Sequence, residues 1–343
     1  MGGYMRRRRS LRLKVVGLAW VLAAGSGCTG GESSSPGAEM SAEARSYLSK
    51  ALNIMEENAL RRDDVDWAEV RRAAFTQAGS AQHPVDTYPV IEMAISSLAD
   101  GHSQLFKPDR AKELFSDAPV RSPVEGRALP GRVGYLSLPG VLGSDEIYQQ
   151  YVREGRAAVA KANRPTACGW VIDLRRNRGG NMWPMLAVVG PILGDGDVGG
   201  FVDAKGKKSV WSIEKGSPLV DGESQGWGAS TPIGAGSAPV AVLTSRSTAS
   251  SGEAVTVAFR GRPDTRSFGE ETEGVPTGNT SYRLSDGALL LLTVVKDADR
   301  TGRTYDGPIP PDEEVADNLG RGSKRDPVLE AATAWLSDHP ACE

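Results

Sequence analysis

Histidine and cysteine are both scarce, with three of each among 343 residues. Histidine-based chemistry can therefore run only through His83, His102 or His339, and little material remains for a metal site, so none is expected. The cysteines are too few for a disulfide-dense scaffold. There is no surplus of basic residues: 40 Lys+Arg against 43 Asp+Glu give a net charge of −3. That balance argues against a nucleic-acid partner, because such binding needs a basic face to neutralise phosphates. The chain also lacks an internal repeat and any apolar run long enough to span a bilayer comfortably, and no motif calls for a cofactor. What is present is ordinary globular composition, 39% hydrophobic and 24% charged, at a length that can bury a sizeable core.

The longest apolar run, Val15 to Ala24, follows Arg6, Arg7, Arg8, Arg9, Arg12 and Lys14 and precedes Gly25-Ser26-Gly27. A basic segment, a short apolar core and small residues together read as an export signal over residues 1–27. Cys28 after those small residues resembles a bacterial lipobox, with Gly25 standing where an aliphatic residue is usual. Lipidation of Cys28 would anchor the protein to a membrane of the cell envelope; a simply cleaved signal would leave it periplasmic or secreted. Arg8-Arg9-Ser10-Leu11 is also compatible with twin-arginine export. Removing residues 1–27 takes away six positive and no negative charges, so the net charge moves from −3 to −9. Residues 28–39, rich in Gly, Ser and Pro, read as a flexible tether. An exported compartment would permit Cys168 and Cys342 to pair, although the sequence gives no distance between them.

Helical spacing marks Ala42 to about Glu57, with Ser41 available as N-cap, then stretches around Trp67–Ala78 and Tyr88–Leu98. Residues 40–106 thus read as a small helical N-terminal subdomain. Beyond a polar stretch (107–130) the period changes. Strands are expected at Val133–Leu138, Gly169–Leu174, Pro239–Thr244 and Ala288–Val295. Helices are expected at Asp145–Ala162 (capped by Ser144), Met182–Leu193, Gly252–Phe259 and Asp326–Ser337. The alternation predicts an α/β core over residues 107–343 with largely parallel strands and right-handed crossovers. Residues 195–238, rich in Gly and Ser without sustained period, read as an excursion or a small hairpin.

Three turns carry chemistry. Ser245–Glu253 follows a buried strand and opens a helix, which would present a hydroxyl at the carboxyl edge of the sheet beside outward N–H groups. Ser250 and Glu253 equally spell a capping box that needs no catalysis. Asp173–Asn181, with adjacent Gly179 and Gly180, is either a place where backbone approaches a ligand closely or simply a tight strand-to-helix turn; it lacks the lysine and spacing of a P-loop. Asp100-Gly101-His102-Ser103 places a histidine in a polar turn.

In order, Asp64-Val65-Asp66-Trp67, DGHS at 100–103, VGYLSLPG at 133–140, VIDLRRNRGG at 171–180, TASSGE at 248–253, Gly269–Gly274 and Ile309-Pro310-Pro311-Asp312 resemble the C-terminal processing (tail-specific) serine peptidases. The resemblance implies a ClpP/crotonase-like α/β core with a small helical N-terminal subdomain. It also implies an endopeptidase that cleaves peptides or unfolded protein tails through an acyl-enzyme, with Ser250 as nucleophile. One branch uses a lysine base after Gly-Glu-x-Thr, but Val275 occupies that place. The pattern instead resembles the tricorn-like and interphotoreceptor retinoid-binding protein-like branch, in which the DGH histidine, here His102, is the base. That branch also implies a serine just before the histidine, where Gly101 stands, and a late acidic residue, for which Asp306 is the nearest match. The implied oxyanion donors are N–H groups of the Gly179-Gly180 turn and of Ser251. Many relatives insert a PDZ domain before VGYLSL, but residues 103–130 are too few to form one. Two other readings stay open on the same fold: a non-catalytic hydrophobic-ligand-binding or scaffold protein, and a crotonase-like acyl-transfer enzyme.

Overall fold

The computed structural model describes residues 39–343 apart from 115, 117–121, 231–232, 234 and 319–324. The expected export signal, Cys28 and nearly all of the tether lie outside the described residues. Among the described residues no helix is long and apolar enough to cross a membrane.

The first helices form where periodicity and caps predict them. α1 (Ala42–Asn58) starts at Ser41, whose hydroxyl accepts the Ala44 N–H at 3.1 Å. α2 (Trp67–Gln77) starts at Asp66, whose carboxylate accepts the Glu69 N–H at 3.0 Å, and α3 (Tyr88–Ser96) follows. β1 (Gln104–Phe106) and the short α4 (Pro108–Leu114) come next.

Then the core begins: β2 (Glu125–Leu129), β3 (Val133–Ser137), α5 (Asp145–Ala162), β4 (Gly169–Asp173) and α6 (Met182–Leu193). Four strands follow, β5 (Gly196–Asp203), β6 (Lys208–Glu214), β7 (Ser217–Val220) and β8 (Glu223–Ser224). The chain finishes through β9 (Val240–Thr244), α7 (Ser251–Phe259), β10 (Thr265–Gly269), β11 (Thr277–Arg283), β12 (Leu289–Asp299), β13 (Glu313–Glu314) and α8 (Pro327–Ser337).

Two sheets result. The first has the order β13-β10-β9-β4-β3-β2 and is parallel except where β2 meets β3. β4 and β9 are buried at every residue because both faces are covered. On one face Leu136, Trp170, Ile172, Val240 and Val242 pack with α5, α6 and α7. On the other, Val133, Tyr135, Val171, Ala241 and Phe268 meet Val328, Ala332 and Leu336 of α8. Cys168 and Cys342 form a disulfide with Cα atoms 5.1 Å apart, tying the chain end beyond α8 to the start of β4.

The second sheet is antiparallel, β1-β12-β5-β6-β7-β8, with β11 on the other side of β12. It corrects two expectations. Residues 195–238, read as an excursion or a small hairpin, hold four antiparallel strands, β5 to β8. Gly199 is needed there, because a Cβ would stand 2.8 Å from the Trp211 ring and from the Ala298 carbonyl; a glycine that blurs the strand period is thus what leaves room for Trp211. The apolar run at 288–295 is a strand, but of this sheet rather than the parallel one. Its unbroken apolarity arises because Leu290 and Leu292 join the core of the N-terminal helices while Leu289 and Leu291 face a cleft.

Candidate active site

The site forms where the carboxyl edge of the parallel sheet meets β11 and β12. Ser250, at the N-cap of α7, sits in left-handed backbone at φ 51. That conformation costs a non-glycine residue roughly 1–3 kcal/mol and persists only where surroundings fix it. Here the fixing groups are explicit. Glu253, fully buried, accepts the Ser250 N–H at 2.7 Å, the Gly274 N–H at 2.9 Å, the Val275 N–H at 3.0 Å and the Thr272 hydroxyl at 2.5 Å. Burial raises its pKa and these four donors oppose the rise. Ser245 and Thr248 donate to the Arg175 and Leu174 carbonyls, and the Ala249 N–H donates to the Asn177 carbonyl. The turn bearing Ser250 and the glycine turn are therefore stitched into one unit.

Within the glycine turn, Gly179 has φ 95 and Gly180 has φ 120. A Cβ at Gly179 would lie 2.8 Å from the Ser250 Cβ, and one at Gly180 would lie 2.0 Å from the Val141 carbonyl oxygen, so neither position admits a side chain. Their N–H groups differ. Gly179 donates to Asn177 Oδ1 at 3.0 Å and is already engaged. Gly180 lines the cleft beside Ser251, whose N–H, in the first turn of α7, has no intrahelical partner. Of the two glycines in the turn expected to supply a donor, Gly180 thus has its N–H free of Asn177, while Gly179 brings the backbone against Ser250.

His102 is held from the other side. Asp100 Oδ1 accepts the backbone N–H groups of His102 at 3.0 Å and Ser103 at 2.8 Å, and the Ser103 hydroxyl gives its proton to Asp100 Oδ2 at 2.6 Å. Gly101 supplies the left-handed φ of 67 that this turn requires. The imidazole Nδ1 meets Thr277 Oγ1 at 2.8 Å, which leaves Nε2 for chemistry. Burial lowers the His102 pKa below 6.5 and the nearby Asp100 charge only partly offsets it. The ring is neutral at neutral pH, the form that can accept a proton.

Ser250, Ser251, Gly180, His102 and Thr277 all line one cleft of about 500 Å³. Its walls are largely apolar, with Phe106, Leu142, Tyr148, Trp183, Phe201 and Leu291 among them. Asp306 is not there. It is exposed, pairs with Lys296 at 3.3 Å and borders a separate depression, so the structure does not bring it into the cleft as expected. The hydroxyl on the imidazole comes from Thr277. The acid in the cleft is Asp297, 1% exposed, with neither carboxyl oxygen hydrogen-bonded. Burial raises its pKa well above the ordinary value and the Glu253 charge adds to the rise, which favours the protonated form. A readable signal for Asp297 existed: an acid in phase with Leu289 and Leu291 on a strand of period two. Thr277 carried no such signal.

A doubly covered parallel sheet, a helix-capping serine at its carboxyl edge and a flanking antiparallel sheet define a ClpP/crotonase-like α/β fold with a small helical N-terminal region. The chain belongs to peptidase family S41, which residues 132–315 match. It is 30% identical over 272 residues to a nisin-resistance protein of Lactococcus lactis subsp. lactis, covering 78% of this chain and 81% of that one. Among solved structures it is similar to a lipoprotein from Streptococcus agalactiae, with TM-score 0.69 and 22% identity over 87% of this chain and 97% of the other. It is also similar to the photosystem II D1 C-terminal processing protease, with TM-score 0.59 and 16% identity over 80% and 94% of the two chains.

Proposed function

We propose that the chain is an exported serine endopeptidase acting on peptides or unfolded protein tails, with Ser250 as nucleophile and His102 as base. The observation that carries this reading is that Ser250, held at φ 51 on a helix N-cap, shares one cleft with a neutral His102. His102 Nε2 takes the Ser250 proton as Oγ attacks the scissile carbonyl carbon. The oxyanion forms between the N–H groups of Gly180 and Ser251, a donor pair in which each member typically contributes about 3 kcal/mol to lowering the barrier. The imidazolium returns its proton to the leaving amine, an ester on Ser250 remains, and water releases it by the same steps in reverse. Thr277 orients the ring and Asp297 takes the place in the cleft that the sequence suggested for Asp306. The likeness to a nisin-resistance protein makes nisin a candidate substrate, checked by mass spectrometry of nisin incubated with the purified chain.

Residues 1–27 as signal and Cys28 as lipid anchor complete the proposal and would set the enzyme in the cell envelope on a tether. The test of the chemistry is Ser250→Ala. Peptide hydrolysis falls by at least about three orders of magnitude, and labelling by a fluorophosphonate probe disappears. Undiminished hydrolysis in that variant would refute the nucleophile. A wild-type protein that never labels yet binds apolar ligands would favour the non-catalytic reading.

A further inference from the structure

The lining of the cleft holds one permanent cation. Arg178 stands between Asn177, which is fully buried, and Gly179, whose N–H the Asn177 side chain holds, so its backbone is fixed at the rim of the oxyanion turn. Of the other arginines near this edge, Arg175 is buried and bonded to Asp173 at 2.6 Å and Asp326 at 2.8 Å, Arg246 pairs with Glu271 at 2.9 Å, and Arg176 is not among the residues lining the cleft. Arg178 is exposed and, among the described residues, has no hydrogen bond or ion pair. The other ionisable groups of the lining offset it little: burial disfavours the charged form of both His102 and Asp297, and Asp297 is 1% exposed. The cleft is thus locally positive in a chain that is acidic as a whole, net −3 with residues 1–27 counted. An anion is repelled at long range by such a chain and attracted at short range by Arg178, which favours a positioned contact over bulk steering. A guanidinium offers a planar fork that matches a carboxylate with two parallel N–H donors. The rest of the wall, Phe106, Leu142, Trp183, Phe201 and Leu291, suits apolar side chains.

We infer that Arg178 is a specificity-determining residue that binds a carboxylate of the substrate close to the scissile bond, so that the cleft selects apolar peptide segments carrying a negative charge near the cut. This rests on the serine-peptidase reading of the same cleft. Two sources supply that chemistry, the free C-terminus of a chain and an acidic side chain, and the experiment separates them. Full-length protein is given three series of decapeptides of Ala, Leu and Phe: one with a free C-terminal carboxylate, one C-terminally amidated, and one amidated with a single Glu moved along the sequence. Products are read by mass spectrometry.

The wild type is expected to cleave a carboxylate-bearing series on the order of tenfold or more faster in kcat/KM than the plain amide, the difference a charge-assisted hydrogen bond supplies. If only the free terminus raises the rate, the ligand is the chain end; if Glu at a fixed distance from the cut raises it, the ligand is a side chain. Arg178→Gln is expected to bring the ratio of rates close to one, chiefly through KM. Arg178→Glu is expected to invert it in favour of peptides carrying Lys at the same place, a gain that misfolding cannot mimic. Equal rates on all series by a wild type whose Ser250 still labels would overturn the clamp and leave the nucleophile standing. A wild type that neither labels nor cleaves would overturn both.

Discussion

The two sides of the cleft are built on opposite terms. On the parallel-sheet side nearly every buried polar group near Ser250 has a partner: Asn177, Ser245, Thr248 and Glu253 each donate or accept within the turn complex. On the antiparallel-sheet side, buried polar atoms stand alone, namely both oxygens of Asp297, Asn279 Oδ1 and Thr293 Oγ1. A buried group without a partner costs about 1–3 kcal/mol, so such a cluster is tolerated where a ligand completes it or where chemistry needs it. Ser250 is thus fixed by satisfied bonds, while the wall beside His102 keeps its hydrogen-bonding capacity in reserve. Substitutions on the first side should chiefly lower stability, and those on the second chiefly alter turnover and its pH dependence.

The largest stability effect is expected at Glu253. Glu253→Ala removes the acceptor of four donors at once and leaves them buried, which should cost about 3–5 kcal/mol, measured by urea unfolding. A loss under 1 kcal/mol would dissolve the contrast between the two sides. The disulfide belongs to the same side but to the opposite edge of the sheet, where β4 begins. Replacing both Cys168 and Cys342 with Ser should lower stability by about 2–4 kcal/mol. Fluorophosphonate labelling at a temperature where the variant stays folded should be retained, because the turn bearing Ser250 leaves the other end of β9.

On the base side, Thr277→Val deletes the hydroxyl that meets His102 Nδ1 at 2.8 Å. Loss of ring orientation should reduce kcat by on the order of tenfold to a hundredfold with little change in unfolding free energy, and Thr277→Ser should restore most of it. The acid limb of the wild-type kcat/KM profile should lie below pH 6.5, since burial depresses the His102 pKa. The linked stability has a defined sign. The folded state resists protonation that the unfolded chain accepts near its ordinary value, so this histidine lowers stability as pH falls below about 6.5.

The same asymmetry explains what the sequence could convey. The parallel side was legible because its signals are local: buried strands at 169–174 and 239–244, a cap at Ser144, helical spacing over 326–337, glycines before α6, and a serine three residues before Glu253. Helix ends there agree with expectation to within a residue or two. The antiparallel side depends on contacts distant in the chain. β5 to β8 carry glycines that blur their period, and β12 is apolar on both faces, which hides whether it joins the parallel sheet or another. The partner of His102 lies 175 residues away, and no local rule selects Thr277 over Asp306.

The smallest and most discriminating effect is expected at Asp297. Its folded-state pKa is raised, chiefly by burial and further by Glu253, which holds the local negative charge because it has the donors Asp297 lacks. The folded state therefore keeps a proton that the unfolded chain releases above about pH 4, and this group increasingly lowers stability as pH rises toward neutrality. Asp297→Asn keeps the shape and removes the titration. The variant should match the wild type in Tm near pH 4 and exceed it by roughly 2–4 °C at pH 8, about 1 kcal/mol for a domain of this size. Peptide turnover should fall at the same time, since a natural sequence retains an unpaired buried acid where activity needs it. A variant that gains stability without losing turnover would show that the unsatisfied wall is tolerated rather than used, and the division between the two sides would then be one of packing alone.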